Sequence, residues 1–409
     1  MTKKRNKNSR RDFLTKGMAG FAGISLLPYL LKGRSQANEE IKNVNKKKIV
    51  YRTLGRTGIK LPIVSISAYS LDIARAALDA GIIYFDTAHR YGGGADEARV
   101  GEVLQGRPRE SFVLTTKIYG LRDKRTGLLP KNLSAAQFRA DFRQRLDGSF
   151  KNLKQDYLDI LFLHGVDNPK FAGVQIVKDV MLELKEEGKT RFLGITFHHK
   201  EVPLIHAAVE QKIYDVIMTS YNFRQPHREE VKKAIAYAAN AGLGVVAMKT
   251  IAGAYWDKER KYPINTKAAL KWVLQNENVH TIIPGIETFD QLELDMSVME
   301  DLTLTPQEQE DLKFGQKTSM PGLYCAQCGR CRLQCRYNLD IPTMMRSYMY
   351  AYGYKNPAKA RETLQLLDLS NLACNRCPTC SVQCTMGFDV RDKITDIARI
   401  KHIPTEFLV

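Results

Sequence analysis

All eight cysteines of the 409-residue chain lie beyond residue 324, in two groups that share one spacing. Cys325, Cys328, Cys331 and Cys335 form the first group, and Cys374, Cys377, Cys380 and Cys384 the second. Both read C-x2-C-x2-C-x3-C, and no other feature limits the fold so tightly. Two intervening residues let a tight loop aim three thiolates at one small centre, while the fourth, a turn further on, points elsewhere. Disulfides would confine partners to strained local loops. Zinc usually draws two C-x2-C pairs, and four evenly stepped thiols exceed its needs. With those two as the alternatives, the spacing points to two [4Fe-4S] clusters.

The two runs resemble those of dicluster ferredoxins. That resemblance implies crosswise ligation, in which Cys384 completes the site of Cys325, Cys328 and Cys331, and Cys335 completes that of Cys374, Cys377 and Cys380. One flank departs from the pattern, since the Pro that usually follows the fourth Cys is Arg336 in one run and Thr385 in the other. Between the runs, Pro342, Met345, Tyr348, Met349 and Tyr352 recur at helical spacing, and residues 359–367 are similarly periodic. The spacing predicts helices over 341–352 and 358–369. Residues 305–409 are therefore expected to form a small, mainly helical ferredoxin-like module suited to electron relay.

Upstream, residues 48–304 alternate apolar strand-like runs with helical segments. The runs fall at 63–67, 82–85, 112–116, 159–163, 192–195, 216–218, 245–248 and 281–283. The clearest helix carries Phe138, Phe142, Leu146, Phe150 and Leu153 in near-regular steps after a Ser134 cap. Eight such units in a segment of this length predict an α/β fold, a (βα)8 TIM barrel, with a doubly wound sheet as the alternative.

Barrels place chemistry at the C-terminal ends of their strands. The second strand runs into Asp86-Thr87-Ala88-His89-Arg90-Tyr91-Gly92, the third ends at Lys117 and the fourth at His164. A phenol with a pKa of ~10 is a poor acid at neutral pH, an adjacent ammonium stabilises its phenolate, and a buried lysine needs a carboxylate to stay charged. Singly, Asp86 reads equally as a cap, Tyr91 as a loop anchor and His164 as a core histidine; together they read as a catalytic set. From Tyr51-Arg52-Thr53-Leu54-Gly55 to about residue 300 the chain resembles the aldo-keto reductase family. The resemblance implies that Tyr91 donates a proton to a small-molecule carbonyl substrate. It further implies that Lys117 is the cation beside Tyr91, that Asp86 orients Lys117, and that His164 aligns the carbonyl.

The same resemblance assigns nicotinamide binding to Thr196 and a ring-stacking role to Tyr221. Phe197 and Met218 stand where the family has amide-binding side chains. Gly285, Ile286 and Gln291 replace the cations expected around a 2′-phosphate, and Asp295 replaces an adenine-binding Asn. NAD(P)H is thus a doubtful cofactor. Three function classes follow: a reductase fed by the clusters through an external electron-transfer partner, an NAD(P)H-dependent reductase with accessory clusters, and a non-catalytic electron carrier on a barrel scaffold. Tyr255, Trp256 and Tyr262 line either an aromatic mouth or a packed loop.

The net charge of +18 is uneven, because residues 1–37 hold nine Lys/Arg against the single acid Asp12. Elsewhere no basic tract is dense enough for nucleic acid. Arg10-Arg11-Asp12-Phe13-Leu14 before an apolar stretch resembles a twin-arginine export signal, with Ser35-Gln36-Ala37 as the cleavage site. The stretch is too short for a stable membrane span. A twin-arginine translocase as transient partner and a periplasmic location are the expectations. Replacing Arg10 and Arg11 by Lys should leave uncleaved precursor in the cytoplasm; unchanged export in fractionated cells would remove this reading of the tail.

Overall fold

The computed structural model describes residues 49–68, 70–123, 126–365, 367, 374, 377–404 and 407. The paired arginines and the apolar stretch after them lie outside these residues. Among the described residues no helix is long and apolar enough to cross a membrane.

A short antiparallel hairpin, β1 (Tyr51–Thr53) and β2 (Lys60–Pro62), precedes the main sheet. After β3 (Ser67–Ala68) come β4 (Tyr84–Asp86), β5 (Val113–Ile118), β6 (Leu158–Leu163), β7 (Thr190–Phe197), β8 (Val216–Ser220), β9 (Gly244–Met248) and β10 (Thr281–Ile282). Strands β4 to β10 form one parallel sheet in sequence order. Residues 63–66 bridge its two edges. Ile66 pairs with Phe85 and Val64 with Ile282, and Ser65 N donates to Ile282 O at 2.9 Å. A final strand, β11 (Gly285–Ile286), pairs with β3. The sheet thus curls into a TIM-barrel-like fold, and all eight apolar runs of the sequence fall on it.

Alternation along each strand separates two cores. Tyr84, Ile160, Phe162, Val216, Met218 and Val246 point inward, while Leu161, Leu163, Ile195 and Ile217 face the surrounding helices. The helix Ala135–Leu153 shows how the sequence builds that outer layer. Ser134 caps it and exchanges bonds with Gln137, and Phe138, Phe142, Leu146 and Leu153 are buried. Phe150 is only partly buried; Ser149, one step earlier, takes the inner position. The hairpin plugs the bottom of the barrel with Leu54 and Leu61. Gly55 has φ +50°, and a Cβ there would meet Gly244 N at 2.4 Å, so only glycine fits.

The other end of the barrel meets the C-terminal segment. The helix Pro306–Leu312 pairs with the barrel through Glu308 and Lys271 at 3.0 Å. Helices Arg330–Gln334, Ile341–Tyr348, Pro357–Gln365 and Val390–Ala398 follow. Asp340 caps Ile341–Tyr348, with Pro342 in its first turn, and a wider π turn over Met349–Gly353 extends it. Such turns frequently mark functional sites. The helices share one apolar core with the barrel loops, in which Phe223, Ala252, Trp256 and Ile264 pack with Leu323, Met345, Tyr348 and Ile394. Trp256 lies against Phe223 and Phe314, and Tyr262 against Phe314, so these aromatics form a packed loop and not an open mouth.

The two parts approach closely at Gly353, where a Cβ would lie 2.2 Å from Gly253 O. Because backbone cannot yield as a side-chain tip can, Gly353→Ala should cost about 1–3 kcal/mol and loosen the docked helices. Hydrogen exchange at residues 250–254 and 349–354 should accelerate; protection equal to that of the unaltered protein would show the contact to be unimportant.

Candidate functional site

Asp86 ends β4, and Lys117 projects inward from the neighbouring β5. Both are almost fully buried, at 1% and 2% exposure. Lys117 Nζ donates to Asp86 Oδ2 at 2.5 Å and to Thr87 O at 2.7 Å, while Asp86 Oδ1 accepts from Thr115 Oγ1 at 2.9 Å. Burial pushes the carboxyl of Asp86 up and the ammonium of Lys117 down, each opposed by the partner's charge. The saturated hydrogen bonding favours the ammonium–carboxylate form.

Tyr91 opens a short turn, Tyr91–Gly94, whose glycines have positive φ. The loop behind it is tied down by buried carboxylates. Thr87 Oγ1 donates to Asp96 at 2.7 Å and Thr116 Oγ1 to Glu97 at 2.6 Å. These bonds hold the Tyr91 ring over Lys117, whose Nζ is 5.0 Å from the ring centroid, and edge-on to His164 at 5.9 Å. His164 follows β6 and is held well below the usual histidine range. Burial is the larger cause, and the charges of Lys117, Arg122 and Lys359 add to it. It is therefore a neutral imidazole at physiological pH. The four residues do come together.

A fifth group was not legible in the sequence. Lys359, from the helix Pro357–Gln365, places Nζ 3.8 Å from the Tyr91 centroid on the cysteine-rich side. Its neighbour Glu362 accepts from Gly92 N at 3.3 Å and pairs with Lys359 at 3.1 Å. Two ammonium groups therefore bracket one phenol. Lys359 lies in the segment between the two cysteine runs, and only tertiary docking brings it here.

Thr196 reaches the edge of this site, bonded to the residue after His164, whereas Tyr221 turns away from it. Thr196 Oγ1 accepts from Gly165 N at 2.8 Å. Tyr221 is buried in the helix layer with its ring 5.0 Å from Trp272. The reason is strand phase: Val216 and Met218 face inward, so Ser220 does too, and Tyr221 faces out. After β10, Gln291 serves in the cap at Thr288, and Asp295 is buried with its carboxyl pushed well up by that burial. Asn356 of the C-terminal part donates to Glu287 at 3.0 Å.

The cysteines ring a cavity instead of closing on a point. Cys325, Cys328, Cys331 and Cys384 line an open-sided space of ≈ 380 Å³ with Ile341, Pro342, Met345 and Phe388. Among the described residues no three ligand-type side chains converge as on a single ion. Gln327 N and Met386 N approach the sulfurs of Cys325 and Cys384 at 3.4 Å. Burial pushes Cys325 up to about 12, with Cys384, Cys331 and Cys328 adding to it. Cys374 is pushed up to about 11 by burial, then by Cys335, Cys377 and Cys380. The groupings match the crosswise sets that the resemblance implies, and the first set fits a cubane better than an ion.

Two family models match the chain: the aldo/keto reductase family over residues 65–267, and a 4Fe-4S dicluster domain over 324–389. This chain carries an aldo/keto reductase domain followed by a 4Fe-4S dicluster domain. Homologues mark it as an oxidoreductase. It is 26% identical to L-galactose dehydrogenase of Arabidopsis thaliana over 310 residues, 65% of this chain and 92% of that one. Identity to methylglyoxal reductase DkgB of Salmonella typhi is 27%, covering 48% of this chain and 66% of the relative. The holo form of aldo-keto reductase AKR11C1 from Bacillus halodurans shares the fold, with a TM-score of 0.51 at 22% identity, covering 65% of this chain and 96% of that chain.

Within the reductase domain, Asp86 is the group on which Lys117 depends. Asp86→Asn should strand a buried ammonium and cost about 3–5 kcal/mol, whereas adding Lys117→Met should recover much of it. Chemical denaturation of the single and double variants measures the coupling; simple additivity would mean that the pair is not an ion pair.

Proposed function

We propose that this protein is an exported iron–sulfur oxidoreductase that reduces a small carbonyl compound at Tyr91 with electrons relayed by two [4Fe-4S] clusters. The observation that carries this reading is the dicluster helix lying on the reductase site, with Lys359 over Tyr91 and Glu362 on Gly92. A merely accessory domain has no need to touch the proton donor.

Reduction of a carbonyl to an alcohol takes two electrons and two protons. In this reading Tyr91 delivers the proton to oxygen and regains it from solvent, while the second proton goes to carbon. Lys117 and Lys359 stabilise the phenolate left behind, and Asp86 keeps Lys117 charged. Neutral His164 hydrogen-bonds the carbonyl without competing as an acid. Cys325, Cys328, Cys331 and Cys384 would hold one cluster, and Cys374, Cys377, Cys380 and Cys335 the other. Bound clusters supply electrons singly, from an external reduced electron-transfer partner outside the cytoplasm, where the paired-Arg tail addresses the chain.

Support for a non-nucleotide donor comes from what occupies the barrel mouth. Arg224 donates to Pro321 O at 2.6 Å, Gly253 N to Tyr354 Oη at 3.1 Å, and Lys249 meets Tyr350. The family's usual dependence on NAD(P)H favours the second reading, in which the clusters are accessory.

Protein prepared without oxygen should contain about eight irons and eight labile sulfides per chain. It should bind NADPH weakly or not at all, and Cys328→Ala should abolish dithionite-driven carbonyl reduction. Micromolar NADPH affinity with full activity in the Cys328→Ala protein would decide for the second reading; stoichiometric zinc without visible absorbance would end both.

A further inference from the structure

At the same end of the barrel as Tyr91, a second, open-sided cavity of ≈ 260 Å³, open solvent included, lies between the reductase strand ends and the dicluster domain. His198, Ser220 and Lys249 line it from the barrel, and Gln327 and Arg346 from the dicluster side, with Cys325 in the wall. We infer that this cavity binds the carboxylate of the substrate, which is therefore an anionic carbonyl compound, a short oxo-acid in class. The inference rests on the reading that carbonyl reduction takes place at Tyr91.

The argument is one of unbalanced charge. Among the described residues, the ion pairs around the mouth are Lys117–Asp86, Arg122–Asp167, Arg332–Asp340 and Lys359–Glu362. None includes Lys249 or Arg346. Lys249 meets the phenol of Tyr350, which burial pushes up and the charges of Lys249, Arg346 and Lys359 bring down to about 8, so that it is mainly neutral at pH 7, and Lys249 keeps further donors for another acceptor. Two cations drawn out of bulk water without a carboxylate are costly unless an anion joins them. Nδ1 of His198 is buried with no hydrogen-bond partner, and burial, then the charges of Arg346 and Lys249, hold the ring well below the usual histidine range. An added carboxylate would meet these charges and accept from Lys249 and Arg346; the hydroxyl of Ser220 is already given to His198 O at 3.2 Å.

The anionic cluster is the rival explanation of the two cations, since Cys325 lines both cavities, but the cations line only the second. The cavity ringed by Cys325, Cys328, Cys331 and Cys384 is lined by Ile341, Met345 and Phe388 and includes neither Lys249 nor Arg346. The second cavity opens at the same end of the barrel as the proton donor: β7, β8 and β9 run into His198, Ser220 and Lys249, as β4, β5 and β6 run into Asp86, Lys117 and His164. The charge of Lys359, 3.8 Å from the Tyr91 centroid, opposes protonation of both Lys249 and His164. A short oxo-acid held at Lys249 and Arg346 could thus present its carbonyl toward Tyr91 with Cys325 alongside.

The test uses oxidised holoprotein, which cannot turn over, titrated calorimetrically with pyruvate and with its neutral amide. Pyruvate should bind at least about tenfold more tightly than the amide. Lys249→Met and Arg346→Gln should each remove most of that preference while keeping the cluster spectrum. Should Lys249→Met fail to assemble clusters, Arg346→Gln decides. Equal binding of acid and amide, or full pyruvate affinity in the variants with only a shifted cluster midpoint potential, would overturn the inference and assign these cations to the cluster. Tyr91→Phe separates the two readings. It should bind pyruvate normally and lose reduction; if reduction persists, the role of Tyr91 falls while the anion site stands.

Discussion

The backbone contact of Gly253 with Gly353 sets the geometry on which the chemistry depends. A parallel barrel offers its reactive strand ends at an open face, and the loops there must pack against something or stay solvated. Here they pack against the chain's own dicluster helices, in a core continuous from Phe223 and Trp256 to Met345 and Ile394. A side chain at Gly353 would collide with the carbonyl of Gly253, so the helix ending in the Met349–Gly353 turn reaches this depth only with glycine there. That position brings Tyr350 to Lys249 and Tyr354 to Gly253 N. The next helix lays Lys359 on Tyr91.

Docking of this kind changes what an ordinary reductase tetrad experiences. Excluding water strengthens every charge interaction that remains. Lys117 stays ionised because Asp86 and Thr87 O accept its hydrogen bonds at short range, and His164 stays neutral because burial and four nearby cations oppose protonation. The positive charges of Lys117 and Lys359 near the Tyr91 ring favour the phenolate left when the proton is given up. The domain interface is therefore part of the electrostatics of the site.

Much of this was legible in the sequence, and the boundary is physical. Strand positions, the Ser134 cap and the approach of Asp86, Tyr91, Lys117 and His164 are written in local periodicity and in strand-end chemistry, both short-range. Tyr221 was misplaced because one residue of phase past Ser220 decides between mouth and helix layer, and phase at a strand end is set by the loop that follows. Lys249, Arg346, Lys359 and Glu362 carried no signal at all. Each is an ordinary charged residue on an ordinary element until the helices dock. Phe150 and Ser149 exchanged places for a milder version of the same reason, since a helix drifts relative to a strict four-residue step.

Docking also bears on the choice of electron donor. At the positions where the resemblance would seat a nicotinamide, Thr196 is committed to Gly165 N and Tyr221 to Trp272. Past β10, Gln291 is committed to its own helix cap and Glu287 to Asn356. A nucleotide entering the mouth would have to break the Arg224–Pro321 and Gly253–Tyr354 bonds and separate an apolar core. Its apparent affinity is then its intrinsic affinity reduced by the fraction of molecules already open. If opening costs even about 3 kcal/mol, that reduction exceeds a hundredfold. The contacts that place Cys325 beside the mouth are thus the contacts that penalise nucleotide entry. Under the proposed function, one interface both brings the cluster domain close to Tyr91 and disfavours the competing source of electrons.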